Sequence, residues 1–154
     1  MERHRLFGLL AIIAAGTLML AGAGPIADEK ASDHKHGGMS EHCAKACAEC
    51  MRECEVCARH CGQLIVDGRK EHFTTLGTCA DCAEFCAAAA KIVSRRGPMS
   101  SAICESCAKA CDVCGQACEK SASDEEMTRC AKVCRECAKA CRDMLKLAGT
   151  LGEK

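Results

Sequence analysis

The chain has no tryptophan, no tyrosine and only three phenylalanines in 154 residues. With so few rings it has no platform for stacking nucleic-acid bases, and few large groups with which to build a core. Charge bias is missing as well, because 21 Lys plus Arg balance 21 Asp plus Glu. A neutral total offers no basic field for nucleic acid or for an anionic membrane surface. No Gly-rich phosphate loop is present, and no Ser–His–Asp or Cys–His arrangement stands apart from the rest of the chain. Carboxylates occur on polar faces without a recognisable acid–base pair, so the sequence argues against an enzyme.

What the chain has in excess is cysteine, eighteen in all. That level marks a disulfide or metal scaffold. Residues 43–61 read CAKACAECMRECEVCARHC, six cysteines in nineteen residues. The cysteines fall in four groups: Cys43, Cys47, Cys50, Cys54, Cys57 and Cys61; Cys79, Cys82 and Cys86; Cys104, Cys107, Cys111, Cys114 and Cys118; Cys130, Cys134, Cys137 and Cys141. Every gap within a group is three or four, and the two alternate. That is the a/d seam of a heptad, so each group makes one stripe on one helix. A strand would need gaps of two. The residues between are mostly Ala, Lys, Glu and Arg, good helix formers, and the charged ones suit a solvated face.

Punctuation divides the chain in the same way. Ser40 is expected to cap the first helix, which should end near Asp67-Gly68. Gly97-Pro98 should stop the second, and Pro98 with Ser100 or Ser101 should start the third. Ser123 with Glu126 reads as a capping box for the fourth. Four helices of about 20 to 27 residues with short connections predict an all-α, antiparallel up-down four-helix bundle over residues 40–154. CAKAC recurs at 43–47, 107–111 and 137–141, which suggests a duplicated helical hairpin. Residues 1–23 read as an export signal: Arg3 and Arg5, an apolar run from Leu6 to Leu20, then Ala21-Gly22-Ala23 as a cleavage site. The apolar run is short for a membrane span. Residues 24–39 are polar and carry His34, His36 and Met39, and are expected to form a flexible leader.

Seam positions face the axis of a bundle, so thiols would line this one where Leu and Ile normally sit. Disulfides along a helix are disfavoured, because Cβ atoms at i+3 or i+4 lie about 5–6 Å apart and a disulfide wants about 3.5–4.5 Å. A bridging metal fits that separation better, given metal–sulfur bonds of about 2.3 Å. Soft thiolates select Cu(I), Zn(II) or iron–sulfur clusters. Zn(II) with four thiolates would leave two negative charges on a dry axis, which is costly. One Cu(I) per thiolate leaves a neutral core, and its two or three sulfur ligands allow a row to fill continuously. The ferredoxin run C-x2-C-x2-C-x3-C-P does not occur. Zinc knuckles place C-x2-C on a turn, and a thioredoxin-type motif needs a βαβ context, which this pattern lacks.

The four stripes, with their alternating C-x3-C and C-x2-C, resemble the cysteine-rich four-helix-bundle copper storage proteins over about residues 40–148. The resemblance implies a bundle that stores many Cu(I) ions along its core, with all eighteen cysteines as ligands, often in a homo-oligomer. It implies copper-dependent enzymes or copper chaperones as recipients and, with the export signal, a periplasmic location. Exported relatives can carry a twin-arginine signal; here the segment is His4-Arg5-Leu6-Phe7, which departs from that pattern. An iron–sulfur electron carrier, a disulfide or thiol redox buffer, and a zinc store are the competing readings.

The ends of the stripes add softer candidates. Met144 follows Cys141 by three and continues the fourth stripe, while Met127 precedes Cys130 by three. His72 precedes Cys79 by seven, also in register. These three join the cysteines as expected metal ligands. One end would gather His34, His36, Met39, His42, Met99 and Met144 as a metal entrance. His60 lies off the stripe, and Phe73 and Phe85 are read as packing groups.

Overall fold

Each cysteine group lies within one helix. The computed structural model describes residues 27–121 and 123–152. They form α1 (Ala27–Val66), α2 (Phe73–Ser94), α3 (Ser100–Glu119) and α4 (Glu125–Gly152), with one 3-10 turn at Lys70–His72 before α2. The helices pack in a ring, α1 against α2, α2 against α3, α3 against α4 and α4 against α1. Sulfur contacts give the directions. Along α1, Cys43, Cys47, Cys50 and Cys54 meet Cys141, Cys137, Cys134 and Cys130 of α4 in turn, so those helices run antiparallel. Cys79, Cys82 and Cys86 of α2 meet Cys114, Cys111 and Cys107 of α3 in the same descending order. The all-α up-down bundle is therefore the fold.

Several boundaries differ from the sequence expectation. α1 is 40 residues long, about 60 Å at the helical rise. It begins at Ala27, so residues 27–39 of the expected leader are helical. Ser40 is buried inside α1 and does not cap it. Residues 1–26, which hold the expected export signal, lie outside the described residues. The end of α1 is a Schellman motif: Gly68 takes φ 95°, Arg69 N–H donates to Leu64 C=O at 2.9 Å, and Gly68 N–H donates to Ile65 C=O at 3.0 Å. α2 ends in the same way, but its left-handed residue is Arg96 (φ 50°) and not the glycine that follows.

The fourth helix is capped one residue later than expected. Asp124 Oδ1 accepts the Met127 N–H at 3.1 Å, and its Oδ2 meets His60 Nε2 at 2.8 Å. Glu126 pairs with Arg129 and does not reach back to the cap. Burial works against the Asp124 carboxylate, but the His60 and Met127 hydrogen bonds outweigh it and hold its pKa below the usual value. Asp124→Ala should therefore cost about 1 kcal/mol, read by urea denaturation followed by circular dichroism. A carboxyl held low stabilises the fold above its unfolded pKa and loses that effect as pH falls through the folded value. The gap between wild type and variant should thus be full above about pH 5 and shrink progressively as pH falls below about 4. A gap that is unchanged at pH 3 would refute the assignment.

The core is made of small groups. Beside the cysteines, Ala44, Ala83, Ala108, Ala131 and Ala138 are buried, and small side chains let the helices come close. Outside the seams, ion pairs strap the bundle. Arg135 Nε and Nη2 donate to Glu119 at 2.9 and 2.7 Å, and Arg142 pairs with Asp112 across the same α3–α4 boundary. Arg129 Nε donates to Glu53 Oε1 at 2.6 Å between α4 and α1. Phe73 and Phe85 are not core residues; they are 72% and 42% exposed. The seam is already filled by sulfur, so neither ring has an interior position to occupy. No helix among the described residues is long and apolar enough to cross a membrane.

Candidate metal centre

The heptad spacing has a direct consequence in three dimensions. All eighteen cysteines are buried and carry free thiols. Sγ atoms lie 3.5–3.9 Å apart, with Cys79 and Cys114 closest at 3.5 Å. Contacts within a helix occur at Cys50–Cys54 and Cys82–Cys86, both 3.9 Å. Most contacts join different helices. The stripes therefore pair across the bundle more than along it, a point that spacing along one helix cannot reveal. Helices α1 and α3 lie diagonally opposite, yet Cys43–Cys104, Cys50–Cys111, Cys54–Cys114 and Cys57–Cys118 meet across the axis at 3.8–3.9 Å.

Sets of four sulfurs within 4.8 Å of one another mark places for an ion: Cys47, Cys107, Cys137 and Cys141; Cys50, Cys82, Cys86 and Cys111; Cys50, Cys54, Cys82 and Cys134; Cys54, Cys114, Cys130 and Cys134; Cys57, Cys79, Cys118 and Cys130. The last four of these sets are chained, because Cys50, Cys82, Cys54, Cys134 and Cys130 each belong to two. The result is a column with shared walls, not a series of separate cages. Separations near 4 Å suit metal–sulfur bonds of about 2.3 Å.

The thiols do not share one acidity. A hydrogen bond from Cys111 pulls Cys50, Cys82 and Cys107 well below an ordinary thiol, and one from Cys114 does the same for Cys130. Cys118 draws Cys114 down to about 6. Their neighbours go the other way: Cys47, Cys86 and Cys137 are raised through Cys107, and Cys54, Cys79 and Cys134 through Cys114. Burial pushes Cys61 up to about 12, with the Cys57 charge adding to it. In this pattern each early thiolate is stabilised by protonated neighbours, which then hold their own protons more tightly. A metal that binds every sulfur must displace those protons.

The remaining sequence candidates lie at the two ends of the column. Met127 is fully buried and joins the core beside the cysteines. His72 is buried, with Nε2 3.6 Å from Glu71 Oε1. Met144 is half-buried and packs against the core at the opposite end, where Met39 is half-buried and His42 and Met99 are exposed. His34 and His36 fall within α1. On that side Ala89 and Val93 continue the α2 stripe as a buried apolar wall. His60 is off the column, as its spacing implied, and serves Asp124. Sequence reasoning missed Glu53. It sits beside Cys54 on α1, is only 3% exposed, and is held by Arg129 and Arg52. Only the position of α4 reveals its partner.

Comparison with known proteins agrees with this geometry. The family model described as copper storage protein matches residues 36–146. A Cu(I)-bound copper storage protein, BsCsp3, is 34% identical, with a TM-score of 0.64 over 70% of this chain and 98% of that one. The apo form of copper storage protein 3 from Bacillus subtilis is also 34% identical, with a TM-score of 0.60 over 69% of this chain and 98% of that one. A cytosolic copper storage protein from Streptomyces lividans, in a structure with five coppers, is 29% identical, with a TM-score of 0.66 over 73% of this chain and 97% of that one. No curated protein matches the chain.

Proposed function

The chain belongs to the copper storage protein family, and on that premise we infer that its thiol column holds Cu(I) as cargo, on the order of one ion per cysteine. The observation that carries this reading is the sharing of thiols between neighbouring four-sulfur sets. Shared walls suit an ion that takes two or three sulfurs and cancels one thiolate charge. They suit Zn(II) poorly, because each ion in a closed site wants four thiolates and leaves net charge in a dry core. Storage needs capacity and ligand exchange, not turnover.

We assign all eighteen cysteines, Cys43 through Cys141, as ligands, with Met127 and His72 at one end of the column and Met144 at the other. The burial of Met127 and His72 and the packing of Met144 on the core support these additions. A thioether binds Cu(I) more weakly than a thiolate, so a terminal Met can pass the ion inward. The export signal read in residues 1–23 supports a periplasmic store that supplies copper enzymes or chaperones, with residues 24–39 leading into the cysteine-rich bundle of residues 40–154.

The test is the metal content of protein isolated without air from cells replete in copper, zinc and iron. Copper in many-fold molar excess over protein, with most thiols masked until a Cu(I) chelator is added, is the expected result. Protein rich in zinc or iron, or protein whose thiols are already cross-linked, would overturn the reading.

A further inference from the structure

The α2–α3 boundary differs from the α1–α2 and α1–α4 grooves among the described residues. It holds a cavity of about 400 Å³ lined by Thr78, Cys82 and Phe85 of α2 and by Ser106, Ala110 and Val113 of α3. That volume falls in the range of small-molecule sites. A cysteine of the column forms part of its wall. The α1–α2 groove at Ala44 and Ala90 and the α1–α4 groove at His42 and Ala140 have no cysteine in their linings. Cys82 is 1% exposed, with its Sγ 3.8 Å from that of Cys111 and 3.9 Å from that of Cys86. It belongs to two of the shared four-sulfur sets, both with Cys50 of mid-α1. The groove therefore leads to the middle of the column and not to an end.

Its walls fit a small, soft guest. Phe85 and Val113 leave apolar surface in the open, at 42% and 56% exposure. Thr78 and Ser106 donate back to the carbonyls of Thr75 and Ala102 on their own helices, so these hydroxyls do not bridge the opening. Asp81 and Lys109 also line it with opposite charges, and Lys109 is itself paired with Glu105 at 2.7 Å. With Lys109 held by Glu105, the rim has no excess positive charge with which to trap an anion.

The geometry points to a lateral door for ligand exchange, in which a low-molecular-weight thiol enters between α2 and α3 and meets the metal at Cys82. The inference rests on the Cu(I) reading for its purpose but not for its geometry. In the exchange, RSH and Cu(I)–S(Cys82) give RS–Cu(I) and Cys82–SH. One copper–sulfur bond forms and one breaks, the proton moves from the incoming sulfur to Cys82, and copper stays Cu(I). Such a door gives mid-column ions an exit that does not require the end sites to empty first.

A copper-free arm tests the opening itself. Reduced apo-protein is pulsed with iodoacetamide and the modified cysteines are mapped by mass spectrometry. Cys82 should be modified faster than Cys50 and Cys111, which share its depth. Ala110→Leu should slow Cys82 by about fivefold while leaving the end cysteines Cys43 and Cys61 unchanged. Ser106→Leu, one turn away, should act in the same way and serves if Ala110→Leu does not fold. Equal labelling of Cys82, Cys50 and Cys111 would overturn the proposal. In the second arm, 2-mercaptoethanol is added to copper-loaded protein, and released Cu(I) is trapped by excess bathocuproine disulfonate. The plugged variant should keep its copper capacity and lose most of the thiol acceleration. Acceleration equal to wild type would also overturn the door, whereas failure of the wild-type protein to load copper would sink the storage reading and leave the labelling result standing.

Discussion

Anaerobic titration of the reduced protein with Cu(I) is expected to run to about one ion per cysteine before a competing chelator begins to take copper. The chain supplies eighteen buried thiols, so the endpoint should lie in the high teens. Two features make the number large. Neighbouring four-sulfur sets share Cys50, Cys54, Cys82, Cys130 and Cys134, so ions can occupy the column without reserving four sulfurs each. Charge also closes, because a singly charged ion on every thiolate leaves the dry axis neutral. Proton release checks the second point. The apo core contains thiols pushed well up by their neighbours, among them Cys47, Cys54 and Cys137, and these enter the reaction protonated. In weakly buffered solution near pH 7, loading should release protons, fewer than one per copper, because thiols pulled down by their neighbours, such as Cys50, Cys82, Cys107, Cys114 and Cys130, enter without one. Saturation after one or two ions would end the storage reading. An endpoint near four or five ions, with a doubly charged metal preferred, would replace it with separate tetrahedral sites.

Copper should also change stability more than any single substitution can. The apo core buries sulfur and methyl groups where bundles ordinarily bury Leu and Ile, and stability scales with apolar area removed from water. Apo-protein should therefore melt in the ordinary mesophile range. Each ion that binds only the folded state adds about 4 kcal/mol when free metal is a thousandfold above its dissociation constant. A few ions thus add more than the whole folding free energy of a typical domain. At about 2–4 °C per kcal/mol for a chain of this size, the loaded protein should melt more than about 20 °C above the apo form. Ellipticity at 222 nm followed without air reads this shift, and an excess of Cu(I) chelator should reverse it. A rise of only a few degrees would mean that the metal binds at the surface or at the ends, not through the column.

The places where the sequence misled are instructive. Ser123 and Glu126 have the letters of a capping box, but Asp124 takes the cap because His60 on α1 orients the same carboxylate. Ser40 has the letters of a cap and sits inside a helix, because α1 already starts at Ala27 and Ser40 is buried in the bundle. Phe85 reads as a packing group, yet it is 42% exposed because the stripe beside it is already occupied by thiols. At the fourth helix a local pattern was sound, but a partner from another helix decided the outcome.

Helix number, the face that each helix turns inward, and the chemistry of that face were all legible from the chain. Gaps of three and four match the helical period, and no other regular backbone places such residues on one side. Residue type then determined the metal class, since sulfur in register is a ligand set before any contact is known. The folded bundle alone decided which thiols meet. Register between helices depends on how Ala and Cys interlock and on straps such as Arg135–Glu119 and Arg129–Glu53, whose members lie far apart in the chain. It also decided that the sulfurs share walls across the axis, that Glu53 is buried, and that a groove reaches Cys82 from the side. These follow from distances between helices, and one-dimensional spacing carries no information about them.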